Sequence, residues 1–175
     1  MLLAAGYALV VLAAFLGMEA FAWAVHRYVM HSRWGWGWHQ SHHEETIGGG
    51  IERRGFELND LFAVVFAAPA VLLFWAGSWP GWRAAWFAGL GVTLYGLVYA
   101  VVHDGLVHQR WPWRWAPRAG YGKRLVQAHR LHHAVLARDG AVSFGFLYAP
   151  DVRHLRARLR AGSPYAKPPA EASAE

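Results

Sequence analysis

Apolar positions along the chain fall into three long blocks separated by polar segments. Residues 2–25 are apolar almost throughout, with Glu19 the one charged position, and at about 1.5 Å rise per residue such a run crosses a hydrocarbon core of roughly 30 Å. Residues 61–79 and 82–102 repeat the pattern, joined by the turn Gly77-Ser-Trp-Pro-Gly81. A cleaved signal peptide competes for the first block. The lack of a basic residue before it, and the polar chemistry that begins at its end, favour a span. The first helix is expected to run on through His26, Arg27 and Tyr28. A short helix is predicted over residues 125–135. A basic segment at 153–160 suits anionic headgroups, and residues 48–56 read as a polar loop over the site. From residue 161 onward the chain is rich in Pro, Ala and Ser, as disordered tails are. The fold class expected is an all-α integral membrane protein with three to four transmembrane helices and a cytoplasmic histidine-rich cap. Residues 1–160 form its one embedded domain, and 161–175 a disordered tail.

Composition supports a membrane setting: 55% of the chain is hydrophobic, with eleven Trp, seven Tyr and nine Phe, more than a small soluble domain buries. Cysteine is absent, which excludes thiolate-ligated haem, cysteine-held iron–sulfur clusters and disulfides. The net charge of +6 does not describe a nucleic-acid groove. Of the seventeen Lys and Arg, only Arg83 lies between Arg54 and Arg110, and none precedes Arg27. Basic residues therefore flank the apolar blocks, the distribution that the positive-inside rule links to a cytoplasmic face.

Ten of the eleven histidines lie in four boxes, the same two-part unit occurring twice: His26 and His31, then His39, His42 and His43; His103 and His108, then His129, His132 and His133. A lone histidine is usually a surface or core residue, and a histidine patch can sense pH; neither needs the same spacing twice. Two spans between the second and third boxes return the chain to the side it left, so all four can converge. On a helix, His129, His132 and His133 fall within an arc of about 100°. His26 and His31, five apart, are offset by about 140° on a straight helix, which suits two different ions or a helix end. Ten imidazoles exceed one coordination sphere and divide into five for each of two metals. Structural zinc is usually closed by four ligands, so iron is the redox-competent choice. The Glu-x-x-His pairs of soluble di-iron bundles and the H-E-x-x-H of zinc proteases are both absent. A histidine-rich di-iron centre at a membrane surface remains, with a lipid as the natural substrate. No flavin or nicotinamide motif is visible.

The boxes resemble those of the fatty acid hydroxylase superfamily. The stretches Gly35-Trp-Gly-Trp-His-Gln-Ser-His-His43, Phe56-Glu-Leu-Asn-Asp-Leu-Phe62, His103-Asp-Gly-Leu-Val-His-Gln-Arg-Trp-Pro112, His129-Arg-Leu-His-His133 and Val142-Ser-Phe-Gly-Phe-Leu-Tyr-Ala-Pro150 are similar to its carotenoid-hydroxylating branch. The resemblance implies a non-haem di-iron monooxygenase with two iron ions and O2 as co-substrate. Its substrates would be the C3 and C3′ positions of β-ionone rings, taking β-carotene through β-cryptoxanthin to zeaxanthin, and ketolated rings toward astaxanthin. It also implies electrons from a ferredoxin with its reductase. The setting is the inner membrane, with the site on the cytoplasmic side and no nucleic-acid partner. Two alternatives are a fatty acyl or sterol hydroxylase or desaturase, and a non-catalytic metal-binding membrane protein. Transport ligands sit near the midplane of spans, whereas these boxes sit at helix ends.

Outside the boxes, Glu19 is an acid within a span, costly enough to mark function, either orienting a ligand histidine or bonding between helices. Asp60 and Asp104 carry the same two readings. Tyr95 and Tyr99 form a helical stripe before His103 that lines a substrate channel or packs in the core. His154 lies outside every box and reads as a surface residue.

Overall fold

The fold, given by a computed structural model, is described for residues 1–45, 56–112 and 115–162. Helix α1 (Leu2–Val25) runs without a break into a π-helical turn, His26–Met30. The short helix α2 (Trp36–Glu45) carries the second box. A 3₁₀ turn, Leu58–Leu61, leads into α3 (Phe62–Gly77), and α4 (Arg83–Tyr99) continues into a longer π-helical segment, Ala100–Val107. Helices α5 (Gly120–His133) and α6 (Val152–Gly162) complete the cap. No strand occurs among the described residues.

Three helical stretches are long and apolar enough to cross a bilayer: Leu2–Met30, Leu58–Gly77 and Arg83–Val107. Outward-facing Leu9, Leu12 and Leu16 on α1, Val64, Val71 and Leu72 on α3, Leu97 on α4 and Val101 in the π segment that follows it are exposed. That pattern is wrong for water and right for lipid. Exposed tryptophans gather at both ends of the spans, Trp75, Trp79 and Trp82 around the α3–α4 turn and Trp34 and Trp38 beside the histidines, where interfacial rings are favoured. Pro69 lies within α3.

Helix α4 is central, packing against both α1 and α3. Glycine makes this possible on two of its faces. A Cβ on Gly91 would strike the Val11 carbonyl and lie 2.8 Å from the Ala14 Cβ of α1, and one on Gly89 would lie 3.2–3.3 Å from Phe74, Ala70 and Leu73 of α3. Small residues set how closely backbones approach in lipid, where no hydrophobic force drives helices together. The core formed there comprises Met18, Ala22, Ala70, Val92 and Tyr95, closed by Phe146 from the segment between α5 and α6. A second cluster, Ala128, Val142, Ala149 and Leu155, binds α5, that segment and α6 into the cap.

The three expected spans are present; the first runs on through His26, Arg27 and Tyr28 as expected, and the third reaches further than its apolar block, so that His103 also lies inside a helix. Helix α5 begins at Gly120, earlier than the predicted 125–135, and the basic segment 153–160 lies on α6, which ends at Gly162. Of the expected polar loop only Phe56 is described; the rest of it and the tail from 163 lie outside the described residues.

The close crossing at Gly91 yields a testable contrast. Gly91→Val should lower the thermal stability of detergent-solubilised protein by about 1–3 kcal/mol, as overpacking does. Gly17→Ala, where nothing lies within 4 Å, should be neutral or stabilising by up to about 1 kcal/mol. Equal melting temperatures for wild type and Gly91→Val would contradict this packing.

Candidate metal centre

The two histidine pairs spaced five apart owe their alignment to π-helical backbone. His31 N–H donates to the His26 carbonyl at 3.1 Å, and His108 N–H to the His103 carbonyl at 2.8 Å. An i→i+5 bond brings residues five apart to one face, and the rings lie 5.3 Å and 4.3 Å apart between centroids. The 140° offset expected of a straight helix therefore does not apply: His26 and His31 enter the same cluster.

All ten box histidines are buried, none more than 8% exposed. Nine form two groups whose ring nitrogens lie within 4.8 Å of one another: His26, His31, His39, His43 and His132 in one, His42, His103, His108 and His129 in the other. Each H-x-x-H-H box divides between the two groups. The His133 ring stands beside the second group, 4.5 Å from His129 and 4.8 Å from His42, and stacks on His43 of the first at 4.6 Å. The expected division of five and five thus appears as five and four, with His133 at their boundary.

The hydrogen bonds decide which nitrogen faces inward. Nδ1 of His26, His31, His43 and His132 lies 2.9, 2.7, 2.8 and 3.0 Å from the carbonyl oxygens of Phe144, Arg138, Val135 and Val142. A carbonyl only accepts, so these Nδ1 atoms carry the proton and the Nε2 lone pairs point into the cluster. Nδ1 of His39 meets the Asn59 side-chain oxygen at 2.7 Å, that of His42 the Glu57 carboxylate at 3.2 Å, and that of His103 the Asp104 carboxylate at 2.7 Å.

Inside the cluster, Nε2 atoms approach one another at 3.2 Å for His26 with His39, His31 with His132 and His39 with His43, and at 2.8 Å for His108 with His129. Facing lone pairs repel unless a cation lies among them, and adjacent ligands on a metal with bonds of about 2.1 Å are about 3 Å apart. The donor set fits two metal ions. Burial depresses the basicity of these rings: desolvation holds His39, His42, His108, His129, His132 and His133 well below the ordinary histidine value and brings His43 to about 4. They are neutral at pH 7, as metal ligands must be.

Among the described residues, no histidine hydrogen-bonds Glu19. Its carboxylate accepts the backbone N–H groups of Phe146, Leu147 and Tyr148 at 2.9–3.1 Å and the Tyr95 hydroxyl at 2.6 Å. It pins the segment 142–150, whose carbonyls hold His26 and His132 and whose Phe146 ring stacks on His26 at 4.9 Å. Gly145 admits the carboxylate, since a Cβ there would lie 2.8 Å from Glu19 Oε1. Asp104 does contact a histidine directly. Asp60 does so only through others, taking two hydrogen bonds from Arg110 at 2.6 and 2.8 Å and one from the Glu57 N–H at 3.0 Å. Glu57, Asn59 and the four carbonyls were not among the residues expected from sequence; the one hint of Glu57 and Asn59 was their place in the polar-apolar stretch 56–62.

Tyr95 and Tyr99 line a cavity of about 330 Å³ between α1, α3 and α4, whose walls include Phe66 and Gly96 and whose polar end is Asn59, Asp60, His103 and Asp104. The Tyr99 ring stacks on His103 at 4.7 Å. His154 is exposed on α6, as expected.

A family model described as fatty acid hydroxylase matches residues 11–150. A β-carotene hydroxylase of Pantoea ananas is 56% identical over 153 residues, 87% of this chain and 83% of the relative. One from Paracoccus sp. (strain PC1) is 54% identical, covering 87% and 90%. A chloroplastic β-carotene 3-hydroxylase of Haematococcus lacustris is 43% identical, covering 86% of this chain and 46% of its own. No solved structure matches.

The anchoring role of Glu19 is open to test. Glu19→Ala leaves the N–H groups of Phe146, Leu147 and Tyr148 without their acceptor, and an unsatisfied buried group costs about 1–3 kcal/mol. The variant should melt earlier and retain less metal after purification. Wild-type melting with full metal content would contradict the role.

Proposed function

The chain belongs to the fatty acid hydroxylase family, and from that premise we propose that it hydroxylates C3 and C3′ of carotenoid β-ionone rings, converting β-carotene through β-cryptoxanthin to zeaxanthin. The names of its relatives point to this substrate. The observation that carries the reading is the junction of two environments: His103 and Asp104, one a member of the four-histidine group and the other its hydrogen-bond partner, form the polar end of an apolar cavity bounded by the spans. A ring dissolved in the bilayer meets the metal-binding histidines there without passing through water.

His26, His31, His39, His43 and His132 would hold one iron. His42, His103, His108 and His129 would hold the other, with His133 beside it. Iron with O2 supplies the oxidising power for a C3–H bond that no neighbouring double bond activates, in the balance R–H + O2 + 2 e⁻ + 2 H⁺ → R–OH + H2O. The protein's own part is positional. Seven Nδ1 hydrogen bonds fix the imidazoles, and the Tyr99 ring, flat against His103, forms the wall a substrate ring would touch. At about 330 Å³ the cavity stands at the lower end of ligand pockets, roughly 300–1,000 Å³; one ring end enters and the polyene lies between helices and lipid. Ketolated rings toward astaxanthin are further substrates of this reading.

The electrons come from a separate donor, a ferredoxin with its reductase, which suits the exposed basic residues Arg118, Lys123 and Arg130 of the cap. The setting is the inner membrane with the histidine cap in the cytoplasm, where the positive-inside rule puts these residues.

Expression in cells that accumulate β-carotene is the direct test, with β-cryptoxanthin and zeaxanthin expected in pigment extracts. His132→Ala and His133→Ala should each abolish them while the protein still inserts, and His154→Ala should leave them at wild-type level. Inserted protein giving only hydroxylated or desaturated acyl chains or sterols would assign the alternative substrates. Bound metal with no O2-dependent product at all would assign a non-catalytic metal protein.

A further inference from the structure

The two histidine groups are buried alike, yet what stands behind them differs. In the five-histidine group, the Nδ1 partners of His26, His31, His43 and His132 are backbone carbonyls and that of His39 is the Asn59 amide oxygen, all uncharged. In the four-histidine group, His42 is backed by the Glu57 carboxylate and His103 by the Asp104 carboxylate. These two acids share one scaffold. Arg110 grips Asp60 with both of its terminal nitrogens and reaches within 4.0 Å of Asp104, while the Glu57 N–H donates to Asp60.

A carboxylate behind an imidazole raises its donor strength beyond what a neutral oxygen does, and it brings negative charge next to the metal. The group with fewer imidazoles is thus the one with charged support. It is also the group that borders the cavity with a ring of its own, through His103 and its partner Asp104.

We propose that Glu57 and Asp104 are positioning residues that make the two metal positions unequal, strengthening His42 and His103 as donors so that the position facing the cavity is the better one for the metal's higher oxidation state. This rests on the reading of the histidine groups as two iron sites. Under it Asn59, through His39, belongs to the other position, although its sequence neighbours Glu57 and Asp60 serve the first.

The test is anaerobic loading of purified full-length protein with isotopically enriched ferrous iron, read by iron stoichiometry and Mössbauer spectroscopy. Wild type should bind two irons per chain, seen as two quadrupole doublets of equal area. Glu57→Gln and Asp104→Asn should each weaken one of the two irons by about 10–100-fold and shift one doublet, the same doublet in both variants. Asn59→Ala should shift the other doublet, and His154→Ala neither. Glu57 precedes α3 and Asp104 lies in the π segment after α4, so loss of folding in one variant leaves the other to give the result. Doublets that move together, or an unmoved spectrum in both acid variants, would overturn the inequality. A wild type that binds fewer than two irons would instead refute the two-iron reading, and the inference with it.

Discussion

An imidazole whose Nδ1–H is committed to an oxygen acceptor has its remaining lone pair aimed in one direction, and this constraint organises the whole cap. Seven box histidines are held in this way, and the Nε2 atoms of three pairs among them lie 3.2 Å apart. Such crowding of unprotonated nitrogens is unfavourable by itself. A cation among them reverses the sign, so the metal ions and the cap are expected to stabilise each other, as ligands that bind only the folded state do.

The membrane helices serve this arrangement from below. Helices α1 and α4 each pass into π-helical backbone where their histidines begin, a conformation often found at functional sites. Glycines at 89 and 91 draw α4 close to its neighbours, and the cavity that remains between α1, α3 and α4 ends at the histidines. An acid inside a span, costly in lipid, is offset here because Glu19 collects three backbone N–H groups and a tyrosine hydroxyl. The segment it pins seals the site from the cap side and gives its carbonyls to histidines 118 and 10 residues away in sequence.

Glu19, Asp60 and Asp104 show how far burial and charge in a sequence lead. An acid within an apolar run announces a specific partner but does not say which one. Asp104 adjoins a ligand histidine in the chain and contacts it; Glu19, read as orienting a ligand histidine or bonding between helices, bonds Tyr95 of α4 and backbone more than 120 residues on. Glu57 and Asn59 were visible only within the motif stretch 56–62, and their contact with the second box depends on how the chain returns to α3.

What could be read from the chain alone was whatever repeats locally: three apolar blocks of membrane-spanning length, four histidine boxes, their common side by the parity of the spans, and through motif resemblance the family. Periodicity and residue chemistry are properties of neighbouring positions and need no partner. The tertiary structure alone decided which histidines share a group, since that turns on π-helical hydrogen bonds that a straight-helix projection does not contain. It also decided what stands behind each ring, since carbonyls carry no side-chain signature and most of the histidine-backing acceptors come from distant segments. The place of the apolar cavity beside the four-histidine group follows from the close approach of three helices, which no one stretch of sequence specifies.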